Sequence, residues 1–105
     1  MLEPQDPTAP PVADSVLMDR LVRRDSTALV ELERRHRGSL YAQAYGIVMD
    51  ATSAERVVRD AFSQLWFAAA TISRGSQSVW TLLRDMAREL ARAERALRES
   101  PVSRR

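Results

Sequence analysis

Cysteine is absent from the 105 residues, which excludes a disulfide framework and any thiolate metal site. Histidine occurs once, at His36. One imidazole with carboxylates is an unusual zinc donor set, so no metal is expected. Lysine is also missing, and all 16 basic residues are arginine. No apolar run approaches the roughly 18 residues that span a bilayer. The first residues lack the basic and then apolar pattern of a secretory leader. A soluble cytoplasmic chain with no membrane partner is the expectation. Glycine-rich phosphate loops are missing too, since Arg74-Gly75-Ser76 holds a single glycine. Nothing positions a serine or aspartate against His36 as a nucleophile and base. An enzyme, a small-molecule substrate and a cofactor are therefore not expected.

What is present suits one domain. A chain of this length buries roughly 60–65% of its unfolded surface, and its hydrophobic content of 45% is ordinary for a globular domain. Charge is unevenly placed. Residues 1–19 carry Glu3, Asp6, Asp14 and Asp19 and no base, whereas residues 20–105 hold all 16 arginines against ten acids. An acidic lead before a basic body points to a polyanion partner, and a solubility surface is the alternative.

Residues 1–13 contain four of the five prolines and read as a disordered tail. Four helices and no strands follow, an all-α compact bundle. Asp14 or Ser15 is expected to cap a first helix reaching about Arg24, with Val16, Leu17, Leu21 and Val22 inward. Asp25-Ser26-Thr27 offers the next cap. The second helix then runs from about Thr27 to Met49, on a stripe of Leu29, Leu32, His36, Leu40, Ala44, Ile47 and Val48. His36 is expected in that helix's packing or at its edge. Gly38 and Gly46 weaken the helix by roughly 1 kcal/mol each, or allow another helix to approach closely. Thr52-x-x-Glu55 has the form of a capping box for a third helix ending near Ala69 or Ala70. Thr71–Ser78 reads as a loop, and a fourth helix runs from Val79 to Arg98. Residues 99–105 form a tail or the start of a linker.

The stretch AERVVRDAFSQLW, Ala54–Trp66, alternates an apolar face with a polar one. Ala54, Val57, Val58, Ala61, Phe62, Leu65 and Trp66 recur at intervals of three and four residues. On the fourth helix, at about 100° per residue, Arg84, Arg88, Arg92, Arg95 and Arg98 share a sector of about 120°. Val79, Leu82, Leu83, Met86, Leu90, Ala93 and Leu97 gather on the far side, and Trp80 lies beside the arginines. Such a ridge suits a phosphate backbone, with an aromatic and a loop beside it for unstacked bases. A solvated face, partly paired to Asp85, Glu89 and Glu99, is the alternative.

AERVVRDAFSQLW resembles the region 2 signature of bacterial extracytoplasmic-function sigma factors, A-E-D-V-V-Q-E-V-F-x-x-L-W. Ala54, Glu55, Val57, Val58, Phe62, Leu65 and Trp66 match, and Asp60 is a conservative replacement. Arg24-Asp25-Ser26-Thr27-Ala28-Leu29 resembles the family's G-D-x-x-A-F turn. Leu40-Tyr41 and Asp50 stand where the family has its L-Y pair and the aspartate before A-E. The resemblance covers roughly residues 14–98.

It implies a helical domain with two surfaces. One binds a coiled coil in the clamp of the largest subunit of core RNA polymerase, through Asp50, Glu55, Arg56, Arg59, Asp60 and Ser63. The other holds the −10 promoter element as single-stranded DNA, through Arg74, Ser76, Trp80, Arg84, Arg88, Arg92 and Arg95. An anti-sigma factor is a further implied partner. The chain departs from the pattern at four positions. Arg56 and Arg59 replace an aspartate and a glutamine. With Met86-Ala87-Arg88-Glu89 in register with I-A-R-N, Glu89 and Ala93 replace an asparagine and an aspartate. A complete member also has a helix-turn-helix domain for the −35 element, with no counterpart in residues 1–105. The alternative is a sigma-like adaptor, either one subunit of a split sigma factor or an anti-sigma decoy, with little or no promoter binding.

Overall fold

The computed structural model describes residues 12–72 and 77–99. Residues 1–11 of the expected tail, 73–76 of the expected loop and 100–105 of the expected C-terminal segment lie outside them. Four helices make up the described chain: α1 (Asp14–Val22), α2 (Ser26–Val48), α3 (Ala51–Ala68) and α4 (Val79–Glu99). The described residues contain no strand, as the periodicity requires. α2, α3 and α4 pack against one another, and α1 lies mainly on α2 with a lighter contact on α4.

α2 matches its sequence pattern closely. Asp25 caps it, its carboxylate accepting from the Thr27 amide at 3.0 Å and from the Thr27 hydroxyl at 2.6 Å. Ala28, Leu32, Leu40, Ala44 and Val48 are buried, and Leu29, Ile47 and His36 are half-buried. An alanine methyl placed at Gly38 or Gly46 meets no atom within 4 Å. Close helix approach therefore explains neither glycine. The helix ends on Met49 at φ 56°, and the Met49 amide donates to the Tyr45 carbonyl at 2.8 Å. This left-handed turn reverses the chain into α3.

The start of α3 differs from the expected Thr52–Glu55 box. Asp50 is the cap, and its carboxylate accepts from the Ser53 amide at 2.8 Å. The helix begins at Ala51, so Thr52 lies inside the first turn, exposed. A carboxylate three residues before an amide outcompetes the threonine because it is charged and faces the positive end of the helix dipole. The apolar face is otherwise as expected. Ala54, Val57, Val58, Ala61, Phe62 and Leu65 are buried, and Trp66 is half-buried.

α1 shows two differences. No side chain caps it, because the cap position falls to Ala13, one residue before the expected Asp14, and the Asp14 carboxylate is turned to α2. Its buried residues are Leu17, Met18 and Leu21, while Val16 and Val22 are 41% and 37% exposed. At about 100° per residue, positions 17, 18 and 21 form one face, with 22 at its margin and 16 on the far side.

α4 is rotated from its expected setting. The buried positions are Val79, Leu83, Ala87 and Ala91, a line turned by roughly 70° toward the arginines at 100° per residue. Leu82, Met86 and Leu90 are only half-buried, Ala93 is exposed and Leu97 is 70% exposed. Small residues win the contact because they let helix axes come close. Direction follows from paired ends. His36 of α2 meets Trp80 near the start of α4, and Val48 meets Arg98 near its end, so α2 and α4 run the same way.

Two substitutions test this description. Phe62→Ala removes the largest fully buried side chain and is expected to cost about 3–5 kcal/mol in urea unfolding. Asp50→Ala is expected to lower the urea midpoint, and Thr52→Ala to leave it in place. The reverse pattern would restore the Thr52 box.

Candidate protein and nucleic-acid interfaces

The six residues expected to dock a protein divide into two groups. Asp50 and Arg56 serve the scaffold. Asp50 caps α3, and hydrogen bonds from the Ser53 amide and then the Ser53 hydroxyl hold its carboxyl below the ordinary range. Arg56 Nη1 donates to Glu94 Oε2 on α4 at 2.6 Å, and Ser53, the one buried polar side chain among the described residues, is 3.4 Å from the same oxygen. Glu55, Arg59, Asp60 and Ser63 remain outward, all exposed. Arg59 is 71% exposed and 3.9 Å from Asp60, too open a pair to hold either side chain firmly.

Phe67 was missed by the periodicity. It lies one turn beyond Ser63 on the same outer ridge and is 79% exposed. Shallow grooves flank it on both sides, one toward α4 with Gln64 and Leu90, one toward α2 with Leu29 and Trp66. The signal was available, since at 100° per residue Phe67 falls between Arg56 and Asp60 on the polar arc. An exposed aromatic among mixed charges is the composition of a protein-binding face.

The arginine ridge is unevenly engaged. Arg84 is half-buried. Its Nη2 approaches Asp85 at 3.4 Å, and its buried Nε has no partner. Arg95 Nε donates to Glu99 at 3.1 Å. Arg98 Nη1 donates to the Val48 carbonyl at 2.9 Å, satisfying one of the free carbonyls at the end of α2. Arg88 is half-buried and Arg92 exposed, and among the described residues neither forms an ion pair. Trp80 stacks on His36 with ring centroids 5.8 Å apart and planes 27° apart. Arg74 and Ser76 lie outside the described residues.

His36 lies in packing, as expected, beside Asp14, 22 positions away in sequence, a contact that no local spacing announces. Its Nε2 is 2.6 Å from Asp14 Oδ2, and Arg35 Nη1 donates to the other Asp14 oxygen at 2.9 Å. Glu31 accepts from Arg34 at 2.6 Å and from Arg35 at 2.9 Å. These arginines, Arg34 first, hold the Glu31 carboxyl down to about 2. Arg24, at φ 67°, places its guanidinium 3.7 Å above the Trp66 ring and donates to the Trp66 carbonyl at 2.7 Å. Both contacts tie α1 and its turn to residues far along the chain.

Within the described residues no three carboxylates, imidazoles or thiols lie close enough to hold a metal ion, and no helix is long and apolar enough to cross a membrane. The described residues offer exposed charge, two exposed aromatics, Tyr45 and Phe67, and shallow grooves. No protein-family model, curated protein or solved structure matches the chain.

Glu31 gives a signed pH dependence. Its carboxyl is held lower in the fold than its ordinary 4.5, so its contribution is present above about pH 4.5 and is lost as pH falls toward 2. Circular dichroism during acid titration is expected to show a shallower loss of stability over that window for Glu31→Gln than for the wild type.

Proposed function

We propose that the chain is a region 2 domain of an extracytoplasmic-function sigma factor. It binds the polymerase clamp through the outer face of α3 and single-stranded −10 promoter DNA through the ridge of α4, with Arg74 and Ser76 as further contacts. One observation carries the reading. In the stretch that resembles the family signature, each matching apolar residue is buried or half-buried, and Glu55, Arg59, Asp60 and Ser63 are presented together on the open side. Exposed Phe67 adds an apolar anchor to that face. Arg88 and Arg92 supply the free charge for phosphates. The mechanism is binding and capture of an unpaired strand, with no bond made or broken, in the cytoplasm where the polymerase works.

Retention on core RNA polymerase at low salt tests the docking face. Wild type is expected to be retained, and Arg59→Glu/Asp60→Arg to be lost; unchanged retention would refute the docking role. Fluorescence anisotropy with single-stranded −10 oligonucleotides tests the ridge. Arg88→Ala/Arg92→Ala is expected to weaken binding and flatten its salt dependence by roughly 0.7 log–log slope units per arginine.

A second reading is the adaptor, a split-sigma subunit or a decoy for an anti-sigma factor. Its support is that Arg84, Arg95 and Arg98 are engaged within the domain, while Glu89 is exposed on the same helix. Polymerase or anti-sigma binding without salt-dependent oligonucleotide binding favours it.

A further inference from the structure

Among the described residues, two with side chains take left-handed backbone, Arg24 and Met49. Arg24, at φ 67°, directly follows the Arg23 cap of α1. Glycine is favoured at that position, because a Cβ there crowds the neighbouring carbonyl. Backbone strain of this kind persists only where the surroundings hold it in place. The arginine side chain must therefore do something that a bare glycine would not.

Its contacts all lie at the end of α3. The guanidinium sits 3.7 Å above the Trp66 ring, and Nη1 donates to the Trp66 carbonyl at 2.7 Å, 42 positions along the chain. That carbonyl belongs to the last turn of α3, where acceptors lack helical partners and positive charge is favoured. α3 has no basic residue of its own in that turn. The same carbonyl lies in the planar peptide unit that carries the Phe67 amide. One guanidinium thus fixes both the Trp66 ring and the peptide plane from which Phe67 departs. Trp66 and Phe67 line one groove together with Leu29, Arg59 and Ser63. Arg59, Ser63 and Phe67 are also the outward residues of the docking face.

We propose that Arg24 is a positioning residue for the protein-docking face of α3, acting through Trp66 and Phe67. This role rests on the polymerase-docking reading and adds to it a residue from outside α3. The strained turn after α1 is retained because its side chain sets the aromatic end of that face.

Titration of the labelled 105-residue chain with core RNA polymerase, beside urea unfolding, tests it. Arg24→Gly removes the clasp and the strain together, whereas Arg24→Ala removes the clasp and keeps the strain. The glycine variant is therefore expected to hold the higher urea midpoint of the two. Both are expected to raise the polymerase dissociation constant about tenfold. Equal loss of docking in two variants of unequal stability marks positioning, because a merely structural role would make binding follow the urea midpoint. Arg24→Gly docking as the wild type does, or binding that tracks stability, overturns the inference and leaves the docking reading standing. A wild type that does not bind the polymerase overturns the docking reading itself, and the role of Arg24 falls with it.

Discussion

Five alanines set the geometry of this domain. Ala44 on α2, Ala54 and Ala61 on α3, and Ala87 and Ala91 on α4 are all fully buried. A methyl side chain lets helix axes approach toward the lower end of the usual 8–10 Å range. The larger apolar residues then fill the spaces between layers, led by Phe62, Leu32, Leu40, Leu65 and Leu83. Once α4 is drawn in along Ala87 and Ala91, the rest of that helix has no freedom. Arg84 moves to the edge of the core, Glu94 comes within reach of Arg56, and Leu97 is turned outward.

Much of the fold can be read directly from spacing. α2 and α3 have long amphipathic patterns whose large residues and alanines agree on one face, so the buried set follows from periodicity. α4 was misjudged because its two kinds of apolar residue disagree. Leucine and methionine mark one stripe and alanine another, and transfer free energy alone favours the larger side chains. Packing favours the smaller ones where two neighbours must both come close. The same limit applies to caps. Asp50 and Thr52 are both good capping residues, and only the position at which the chain leaves the left-handed turn at Met49 selects between them.

The candidate site was legible only in part, for a different reason. Spacing placed Glu55, Arg59, Asp60 and Ser63 on one open face. Which arginines remain free depends on contacts between residues far apart in sequence. Arg56 with Glu94 and Arg98 with Val48 join residues 38 and 50 positions apart, and no local pattern encodes them. Arginine suits this double use, because one planar group can close a helix end or bridge two helices while keeping its charge. A basic composition therefore overstates the charge offered to a polyanion. Part of it is spent holding helices together.

Arg24 over Trp66 and His36 against Trp80 have an optical consequence. The chain has two tryptophans, and each ring is gripped by a residue from another segment. Trp66 senses the turn after α1, and Trp80 senses the middle of α2 close to the Asp14 end of α1. A helix that lifts away as a unit would disturb both emissions together. One that pivots about either end would disturb them one at a time. Trp66 on α3 and Trp80 on α4 thus stand as a built-in pair of reporters at the two ends of α1, distinguishing a hinge from a detachment without any label added to the protein.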